Sequence, residues 1–261
     1  MANLFLQFGK ILIYHYPHNL NNEWGHVDMI YAQILAGGKG TRMGNVPMPK
    51  QFLLLADKPI LIHTIEKFTL ESRFDAILVV CPADWVSHTE DIIKKYITDE
   101  RVHVVVGGAD RNETLMSGIN YIQDHYGIQD DDVVVTHDAV RPFITQRIIN
   151  DNIVAVLENK AVDTVVPAID TIVRGANDQV TDIPVRSEMY QGQTPQSFHI
   201  KTLIDSYNAL SSEQKASLSD SCKICSLAGQ KVSLVRGENY NFKITTPFDL
   251  RVASALVEKR S

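Results

Sequence analysis

Cysteine is scarce in this chain of 261 residues, which contains only Cys81, Cys222 and Cys225. Cys222 and Cys225 form a single CxxC pair, and a tetrahedral zinc site would need two further ligands that no second pair supplies. We therefore interpret both as ordinary residues of a helical segment. So few cysteines are typical of a reducing compartment, and we expect a cytoplasmic location.

Long apolar runs and an excess of basic charge are also absent. No run reaches the roughly 18 apolar residues that cross a bilayer, so no membrane partner is expected. The formal net charge of −6 argues against nucleic acid as a generic partner. With 44% hydrophobic and 21% charged residues, the composition is that of a soluble globular protein.

The start of the chain has no recognisable signal peptide. Residues 1–28 contain an apolar stretch, residues 5–16, and their one basic side chain, Lys10, lies inside it. A secretory signal would place basic residues first and end at a small-residue cleavage site. We expect residues 1–28 to be an appendage and residues 29–261 to form a single domain. A separate strand or hairpin at the start is the alternative.

From residue 29 onward, short apolar runs alternate with amphipathic stretches. Strands are predicted over residues 30–36, 76–81, 102–106, 133–136, 164–167 and 231–235. Helices are predicted over residues 60–70, 84–97, 109–126, 146–157, 199–211 and 219–227, and from residue 247 onward. Repeated strand–helix units with apolar strands predict an α/β fold with a doubly wound, mostly parallel, Rossmann-like sheet. Ligands bind such sheets at the carboxyl ends of the strands.

Residues 168–190 break this alternation. Two strand-like runs, 171–174 and 180–185, flank turn-forming residues at 175–178, which predicts a protruding β-arm. A lone hairpin is marginally stable in water, so we expect a second copy of the chain to cover the arm. The protein is therefore predicted to be a homodimer.

The most informative stretch is residues 32–52, where an apolar strand ends at glycines and leads into a loop. The loop carries Lys39, Arg42 and Lys50. Glycines allow backbone N–H groups to approach a ligand closely, and cations along such a loop suit a triphosphate. An ordinary glycine-rich turn with solvated cations is the alternative for the glycines alone.

Two familiar phosphate-binding motifs do not match this loop. A Walker A motif is disfavoured because Lys39 is followed by Gly40 and not by Ser or Thr. A dinucleotide-binding fingerprint is disfavoured because Met43 stands where its third glycine belongs.

Two further loops follow predicted strands and should meet the first one. Residues 107–114 begin with two glycines, although Asp110 and Glu113 could equally form a capping box for the next helix. Asp138 follows a buried strand, where its carboxylate could bind magnesium or a sugar hydroxyl. The alternative for Asp138 is a helix cap or a partner for Arg141.

Residues 36–43, followed by Pro49-Lys50-Gln51-Phe52, resemble the signature loop of the sugar-phosphate nucleotidyltransferases. The Pro-Lys-Gln-Phe ending is similar to that of the cytidylyltransferases acting on methylerythritol phosphate or ribitol phosphate. Residues 137–142 are similar to the His-Asp-Ala-Ala-Arg-Pro motif of that family, with Val140 in place of an alanine. The resemblance extends from about residue 29 to near the C-terminus.

The resemblance implies a site that binds CTP, Mg²⁺ and a polyol phosphate. The implied catalytic cations are Arg42, Lys50 and Lys243. The implied nucleotide-binding residues are Leu35, Ala36, Gly37, Gly38, Gly40, Thr41, Gly107, Gly108, Arg111 and Thr114. The implied acceptor-binding residues are Asp138, Thr171, Arg186 and Thr194, with Asp138 also a magnesium ligand. Arg186 and Thr194 would grip the acceptor phosphate, in part across the dimer.

The implied reaction is in-line attack of the acceptor phosphate on the α-phosphorus of CTP. Ribitol 5-phosphate is the expected acceptor, for teichoic acid and cell-wall synthesis. The run Ala36-Gly37-Gly38 resembles ribitol-type members, and Ala109 replaces an acidic residue found in many methylerythritol-type members. The alternatives are 2-C-methyl-D-erythritol 4-phosphate as acceptor, or a non-catalytic nucleotide-binding module.

Overall fold

The computed structural model describes residues 29–38 and 48–258. Its strands are β1 (Ile30–Leu35), β2 (Leu54–Leu55), β3 (Lys58–Pro59), β4 (Ala76–Cys81), β5 (Val102–Val106), β6 (Val133–Asp138), β7 (Ala161–Pro167), β8 (Arg174–Ala176), β9 (Gln179–Asp182), β10 (Tyr190–His199) and β11 (Ser233–Arg236). Its helices are α1 (Ile60–Thr69), α2 (Val86–Tyr96), α3 (Arg111–His125), α4 (Gln146–Glu158), α5 (Ile200–Ala209), α6 (Ser212–Ala216), α7 (Cys222–Leu227) and α8 (Pro247–Glu258).

Seven strands form the central sheet, in the order β11-β7-β10-β6-β1-β4-β5. β1 pairs in parallel with both β4 and β6, β4 pairs in parallel with β5, and β7 pairs in parallel with β11. β10 runs antiparallel to its neighbours β6 and β7. The predicted α/β fold with a mostly parallel sheet is confirmed.

Both faces of the sheet are covered by helices, which explains why its strands are apolar on both sides. Alternate residues of a strand point to opposite faces. In β1, Ile30, Ala32 and Ile34 pack with residues of α1, α2 and α4. Tyr31, on the other face, packs with residues of α3, α5 and α7. The two hydrophobic layers therefore lie on opposite sides of β1.

The order of the strands places a switch point at β1. The chain passes from β1 to β4 and β5 on one side, and then returns to β6 on the other side of β1. The connections after β1 and β6 consequently leave the sheet in opposite directions and open a crevice between the carboxyl ends of these strands. Ligands of doubly wound sheets bind at such a point.

β10 is the main element that the sequence did not predict. Pro195 disfavours a central strand, since proline cannot donate a ladder hydrogen bond. The structure accommodates it in an irregularity: Gly192 pairs with Val165 and Gln196 pairs with Asp163, so β10 carries two extra residues there. Thr194 and its neighbours therefore lie in the sheet.

The arm is a two-stranded hairpin of β8 and β9, as predicted. Its strands differ from those expected, because residues 171–173 and 183–185 are not in strands and residues 175–176 belong to β8 and not to the turn. Its tight turn has Asn177 and Asp178 in the left-handed region, with φ of 51° and 60°. Asparagine and aspartate tolerate this conformation, which matches the twist of a hairpin. Both strands are exposed along their whole length. The arm's role in dimerisation stays a prediction.

Smaller differences concern the ends of elements and one additional helix. β7 begins at Ala161, earlier than expected, and α6 was not predicted, although Ser211 and Gln214 form a capping box at its start. Across residues 29–38 and 48–258, every helix is too short or too polar to cross a bilayer. The expectation for residues 1–28 lies outside the described residues.

Candidate active site

A cleft of about 260 Å³ opens at the carboxyl ends of β1 and β6. Of the predicted site residues, those that line it are Leu35, Ala36, Gly37, Gly38, Lys50, Arg111, Thr114, Asp138 and Lys243. They come from four separate stretches of the sequence, and the sheet brings them together. Gly40, Thr41 and Arg42 lie outside the described residues, so their roles stay predictions.

The Pro-Lys-Gln-Phe segment fastens the first loop to the sheet. Lys50, Gln51 and Phe52 form one turn of 3₁₀ helix and are all buried. Gln51 Nε2 donates to Ala36 O at 2.6 Å, which fixes the end of β1. Phe52 stacks on Trp85 with ring centroids 5.0 Å apart. Lys50 is thereby carried to the wall of the cleft by buried neighbours on the same turn.

The second loop combines a helix cap with a glycine contact. Asp110 caps α3, because its carboxylate accepts from the backbone N–H groups of Asn112 and Glu113 at 2.8 and 2.9 Å. Glu113 Oε2 accepts in return from Ala109 N at 2.8 Å. Asp110 is therefore a helix cap as expected, but the capping box is incomplete, because Glu113 binds the N–H of Ala109 and not that of the cap residue. The cap presents Arg111, the first residue of α3, to the cleft.

Close contact with Thr114 explains why each of the two loops that face it has a glycine there. A Cβ atom at Gly37 would lie 3.0 Å from Thr114 Oγ1, and one at Gly107 would lie 3.1 Å from the same oxygen. A Cβ at Gly108 would collide with Glu113 at 2.2 Å. The two glycine loops therefore approach each other across the buried Thr114, as close backbone approach requires.

Asp138, the last residue of β6, lies at the centre of a cationic cluster. Its Oδ2 atom is 3.0 Å from Lys243 Nζ and 3.2 Å from Arg141 Nε. Its Oδ1 atom is 3.4 Å from Arg111 Nη2. Burial alone would raise the pKa of Asp138, but the charges of Arg111, Lys243 and Arg141 outweigh burial and hold that pKa far below its ordinary value.

Thr194 reaches Asp138 because of the irregularity in β10. Its hydroxyl oxygen accepts from Asp138 N–H at 3.1 Å and lies 2.9 Å from His137 Nδ1. His137 Nε2 lies 3.2 Å from the carbonyl oxygen of Arg141, so Nε2 carries the proton and Nδ1 accepts from Thr194. Thr194 thus connects β10 to the turn that carries Asp138. Burial lowers the pKa of His137 to about 4, which keeps its ring neutral.

A second set of hydrogen bonds holds the segment that carries Lys243. Arg141 Nη1 donates to Asn241 O at 2.8 Å, and Asn241 Nδ2 donates to Thr194 O at 2.7 Å. Asn241 Nδ2 also donates to Gln193 Oε1 at 3.2 Å. Lys243 follows two residues later, so its position depends on these buried contacts.

The sequence missed several residues that complete the cleft. Gln51 and Thr245 line it, and Arg141 had been named only as an alternative partner of Asp138. Arg141 could have been found, since it follows Asp138 by three residues in one motif. Nothing local distinguishes Thr245 from a surface threonine, because its place depends on where α8 packs.

Two predicted acceptor-binding residues lie away from the cleft. Thr171 and Arg186 are exposed on the arm, and Arg186 Nη1 donates to Ile169 O at 3.1 Å. Within one chain they do not line the cleft that contains Asp138. Their assignment to the acceptor stays a prediction that depends on the dimer.

The cleft suits a magnesium ion that is held mainly by phosphates. Among the described residues no cluster of three or more His, Cys, Asp or Glu side chains could form a metal cage. Magnesium in phosphate-transfer sites is usually bound through one or two carboxylates together with substrate phosphates. Asp138 supplies one such carboxylate, so the residues present fit this arrangement.

Comparison with known proteins gives a consistent family. The family model described as "IspD: 2-C-methyl-D-erythritol 4-phosphate cytidylyltransferase" matches residues 30–259. A solved 4-diphosphocytidyl-2C-methyl-D-erythritol synthase from Anaerococcus prevotii is 29% identical, with 88% of this chain and 96% of that chain covered and a TM-score of 0.73. A 2-C-methyl-D-erythritol 4-phosphate cytidylyltransferase from Francisella tularensis is 26% identical, with 87% and 99% covered and a TM-score of 0.73.

A more distant structure resembles the chain in fold. The 2-C-methyl-D-erythritol 4-phosphate cytidylyltransferase from Thermus thermophilus is 23% identical, with 87% of this chain and 98% of that chain covered and a TM-score of 0.65. The similarity therefore extends over most of the length of each compared chain.

Proposed function

The chain belongs to the 2-C-methyl-D-erythritol 4-phosphate cytidylyltransferase family, and within it we propose an enzyme that transfers CMP from CTP to ribitol 5-phosphate, giving CDP-ribitol and pyrophosphate. The observation that supports it most is the convergence of Lys50, Arg111 and Lys243 on the cleft beside two glycine loops. Cations and backbone N–H groups in this arrangement suit a bound triphosphate.

The proposed reaction uses position and charge more than proton transfer. A phosphate monoester is largely ionised near neutral pH, because its second pKa is about 6, so the attacking oxygen needs no general base. His137 is not a suitable base, since both of its ring nitrogens are engaged and its side chain is buried. Lys50 and Lys243 would stabilise the charge that develops around the α-phosphorus.

The remaining predicted contacts in the cleft are those to CTP and to magnesium. The backbone at Gly37, Gly38, Gly107 and Gly108, with Arg111 and Thr114, would hold CTP. Arg42, Gly40 and Thr41 complete that set in the proposal. Bound magnesium would neutralise phosphate charge, and Asp138 is the carboxylate that would face it. Thr194 acts through Asp138 in this arrangement, because its hydroxyl is bound to the Asp138 backbone.

The acceptor is the part of the proposal that rests on sequence resemblance. Ala36-Gly37-Gly38 and Ala109 favour the ribitol branch of the family. Packing against Thr114 accounts for Gly37 within the chain, so this glycine favours the ribitol branch by resemblance alone. The alternative acceptor, 2-C-methyl-D-erythritol 4-phosphate, is favoured by the name of the family and of the solved structures.

The wider setting of the proposal follows from its product. CDP-ribitol is a precursor for ribitol-containing teichoic acid in the cell wall, and we propose a cytoplasmic homodimer. A nucleotide-binding module without catalysis is less well supported. Such a module has no need for Lys50 and Lys243 to line one cleft.

Pyrophosphate release tests the proposal. The purified protein is incubated with Mg²⁺ and each of CTP, UTP, ATP and GTP, alone or with ribitol 5-phosphate or 2-C-methyl-D-erythritol 4-phosphate as acceptor. We expect release only with CTP and acceptor together. Release with another nucleotide would overturn the assignment to CTP, and no release with either polyol phosphate would favour the binding module.

A further inference from the structure

We propose that Asp138 is a positioning residue whose carboxylate stands in for a substrate phosphate. It holds Arg111 and Lys243 beside the fixed Arg141 until phosphate takes over Arg111 and Lys243. The proposal rests on the function proposed above for the cleft. It differs from the expectation that Asp138 serves the enzyme chiefly as a magnesium ligand.

The geometry gives Asp138 three cationic partners from three parts of the chain. Lys243 Nζ and Arg141 Nε lie 3.0 and 3.2 Å from Oδ2, and Arg111 Nη2 lies 3.4 Å from Oδ1. One negative and three positive charges leave this cluster with a net charge of +2. The carboxylate therefore reduces repulsion among the cations and still leaves them attractive to a polyanion.

The three cations are not held equally. Arg141 is buried and also donates to the carbonyl oxygen of Asn241, so it is fixed to the protein. Lys243 is partly exposed to the cleft. Arg111 Nη1 is buried and has no hydrogen-bond partner within residues 29–38 and 48–258. Lys243 and Arg111 are thus the two cations that an entering phosphate can take over, and Arg141 stays with Asp138.

This arrangement has a consequence for metal binding. Both carboxylate oxygens of Asp138 face cations in the unliganded cleft, so a free divalent cation would have to displace them against their repulsion. Once phosphate has drawn Lys243 and Arg111 away, the carboxylate becomes available. We therefore expect metal to bind together with the phosphate ligand and not before it.

The first experiment measures the affinity for pyrophosphate by calorimetry in EDTA, with no metal present. Asp138→Asn removes the competing charge, and we expect it to bind pyrophosphate about tenfold more tightly than wild type. Unchanged or weaker binding by a folded Asp138→Asn protein would overturn the proposal. Thermal unfolding of the variant establishes that it is folded.

Asp110→Asn is the matched control, because Asp110 lines the same cleft but caps α3. Asparagine is also a good helix cap, so the fold should be kept. We expect its pyrophosphate affinity to stay within threefold of wild type. An increase as large as that of Asp138→Asn would mean that the charge of the whole cleft is responsible, and would contradict the specific role of Asp138.

The second experiment does not depend on the folding of Asp138→Asn. Electron paramagnetic resonance follows Mn²⁺ binding to the wild-type protein with and without pyrophosphate. We expect Mn²⁺ to bind at least tenfold more tightly when pyrophosphate is present. Tight Mn²⁺ binding to the protein alone that pyrophosphate does not strengthen would overturn the proposal.

These measurements separate the inference from the proposed function. If Asp138→Asn gains pyrophosphate affinity but the wild-type protein turns over no CTP, the inference stands and the proposed function fails. If CTP is turned over and Asp138→Asn gains no affinity, the inference alone fails.

Discussion

The cleft and the arm are built in opposite ways. The cleft is lined by side chains whose polar atoms are bound to other parts of the same chain, such as Asp138 with its three cations. The arm exposes apolar side chains, among them Ile169 at 69%, Val180 at 63% and Ile183 at 58%. The nucleotide half of the proposed site is therefore largely formed by one chain, whereas Thr171 and Arg186 are carried by an uncovered arm.

Because of this difference, the cleft and the arm are expected to affect different parts of the reaction. Changes in the cleft should act on each chain by itself and affect CTP chemistry. Changes in the arm should act through a second chain and affect the acceptor. Exposed apolar patches of this kind commonly mark interaction surfaces. The predictions below test this division, beginning with the largest expected effect.

Lys50→Ala should impair catalysis in the cleft without affecting the arm. Loss of one preorganised cation at the reacting phosphate is expected to lower kcat by roughly 10²–10³. Steady-state pyrophosphate release measures the effect, and Lys94→Ala, an exposed lysine on α2, is the control. A Lys50→Ala enzyme within about threefold of wild type would remove Lys50 from the catalytic cations.

Val180→Asp should disrupt the predicted dimer contact of the arm without affecting the cleft. A charge on this exposed apolar strand is expected to convert the dimer to monomer and to lower kcat/KM for the acceptor about tenfold or more. Light scattering and acceptor titrations measure the two effects. Thr181→Asp, on the opposite face of the same strand, is the control. A wild-type monomer at micromolar concentration would contradict the predicted dimer. A Val180→Asp protein that stays dimeric would contradict the arm's role in forming it.

Gly37→Ala sharpens the division within the cleft. The added methyl would lie 3.0 Å from Thr114 Oγ1, and such overpacking should raise KM for CTP about fivefold. Because serine has one γ atom and can rotate away, adding Thr114→Ser should recover most of the loss. The preference between acceptors should not change. A changed acceptor preference would show that Gly37 acts beyond packing.

Asp163→Asn tests the stability cost of a buried carboxylate that lies outside both the cleft and the arm. Burial raises the pKa of Asp163 to about 6, and a hydrogen bond from Gln196 opposes part of this rise. Asp138 differs because its cationic partners lower its pKa. A folded pKa above the unfolded one costs stability as pH rises from about 4 through 6, and the full cost remains above that range. Removing the charge should therefore stabilise the protein by up to about 3 kcal/mol at pH 8 and by almost nothing at pH 4.

Urea unfolding at the two pH values measures this effect. Ser219→Ala, near the neighbouring Asp220, serves as a control that leaves both carboxylates in place. Equal stabilisation at pH 4 and pH 8 would mean that the substitution acts through packing. A loss of stability at pH 8 would contradict the cost assigned to the buried carboxylate.

The sequence predicted those elements whose pattern is local. Apolar runs ending at glycines identified β1 and its loop. The motifs placed Lys50 at the end of that loop and Asp138 at the end of a strand. β10 could not be found in the same way, because Pro195 is unfavourable in a strand and only the tertiary irregularity accommodates it. As a result, the hydrogen bonds that join Thr194 to His137 and to the backbone of Asp138 could not be predicted from the sequence.

Contacts between distant segments also escaped prediction for a physical reason. The bond from Arg141 to Asn241 joins residues 100 positions apart, and neither residue has a periodicity that points to the other. The charge around Asp138 likewise depends on three segments that meet only in the fold. Motifs indicate which residues are candidates for the chemistry, and packing determines how those in the described part of the chain are held.

The acceptor provides the most direct test of the central claim. The measurement is kcat/KM for ribitol 5-phosphate and for 2-C-methyl-D-erythritol 4-phosphate, at fixed CTP and Mg²⁺. Ribitol has one more carbon in its chain and lacks the branching methyl, and a site built to bind the additional hydroxyl should reject the shorter analogue strongly. We predict a clear preference for ribitol 5-phosphate. Equal values, or a preference for the methylerythritol compound, would contradict the proposed function.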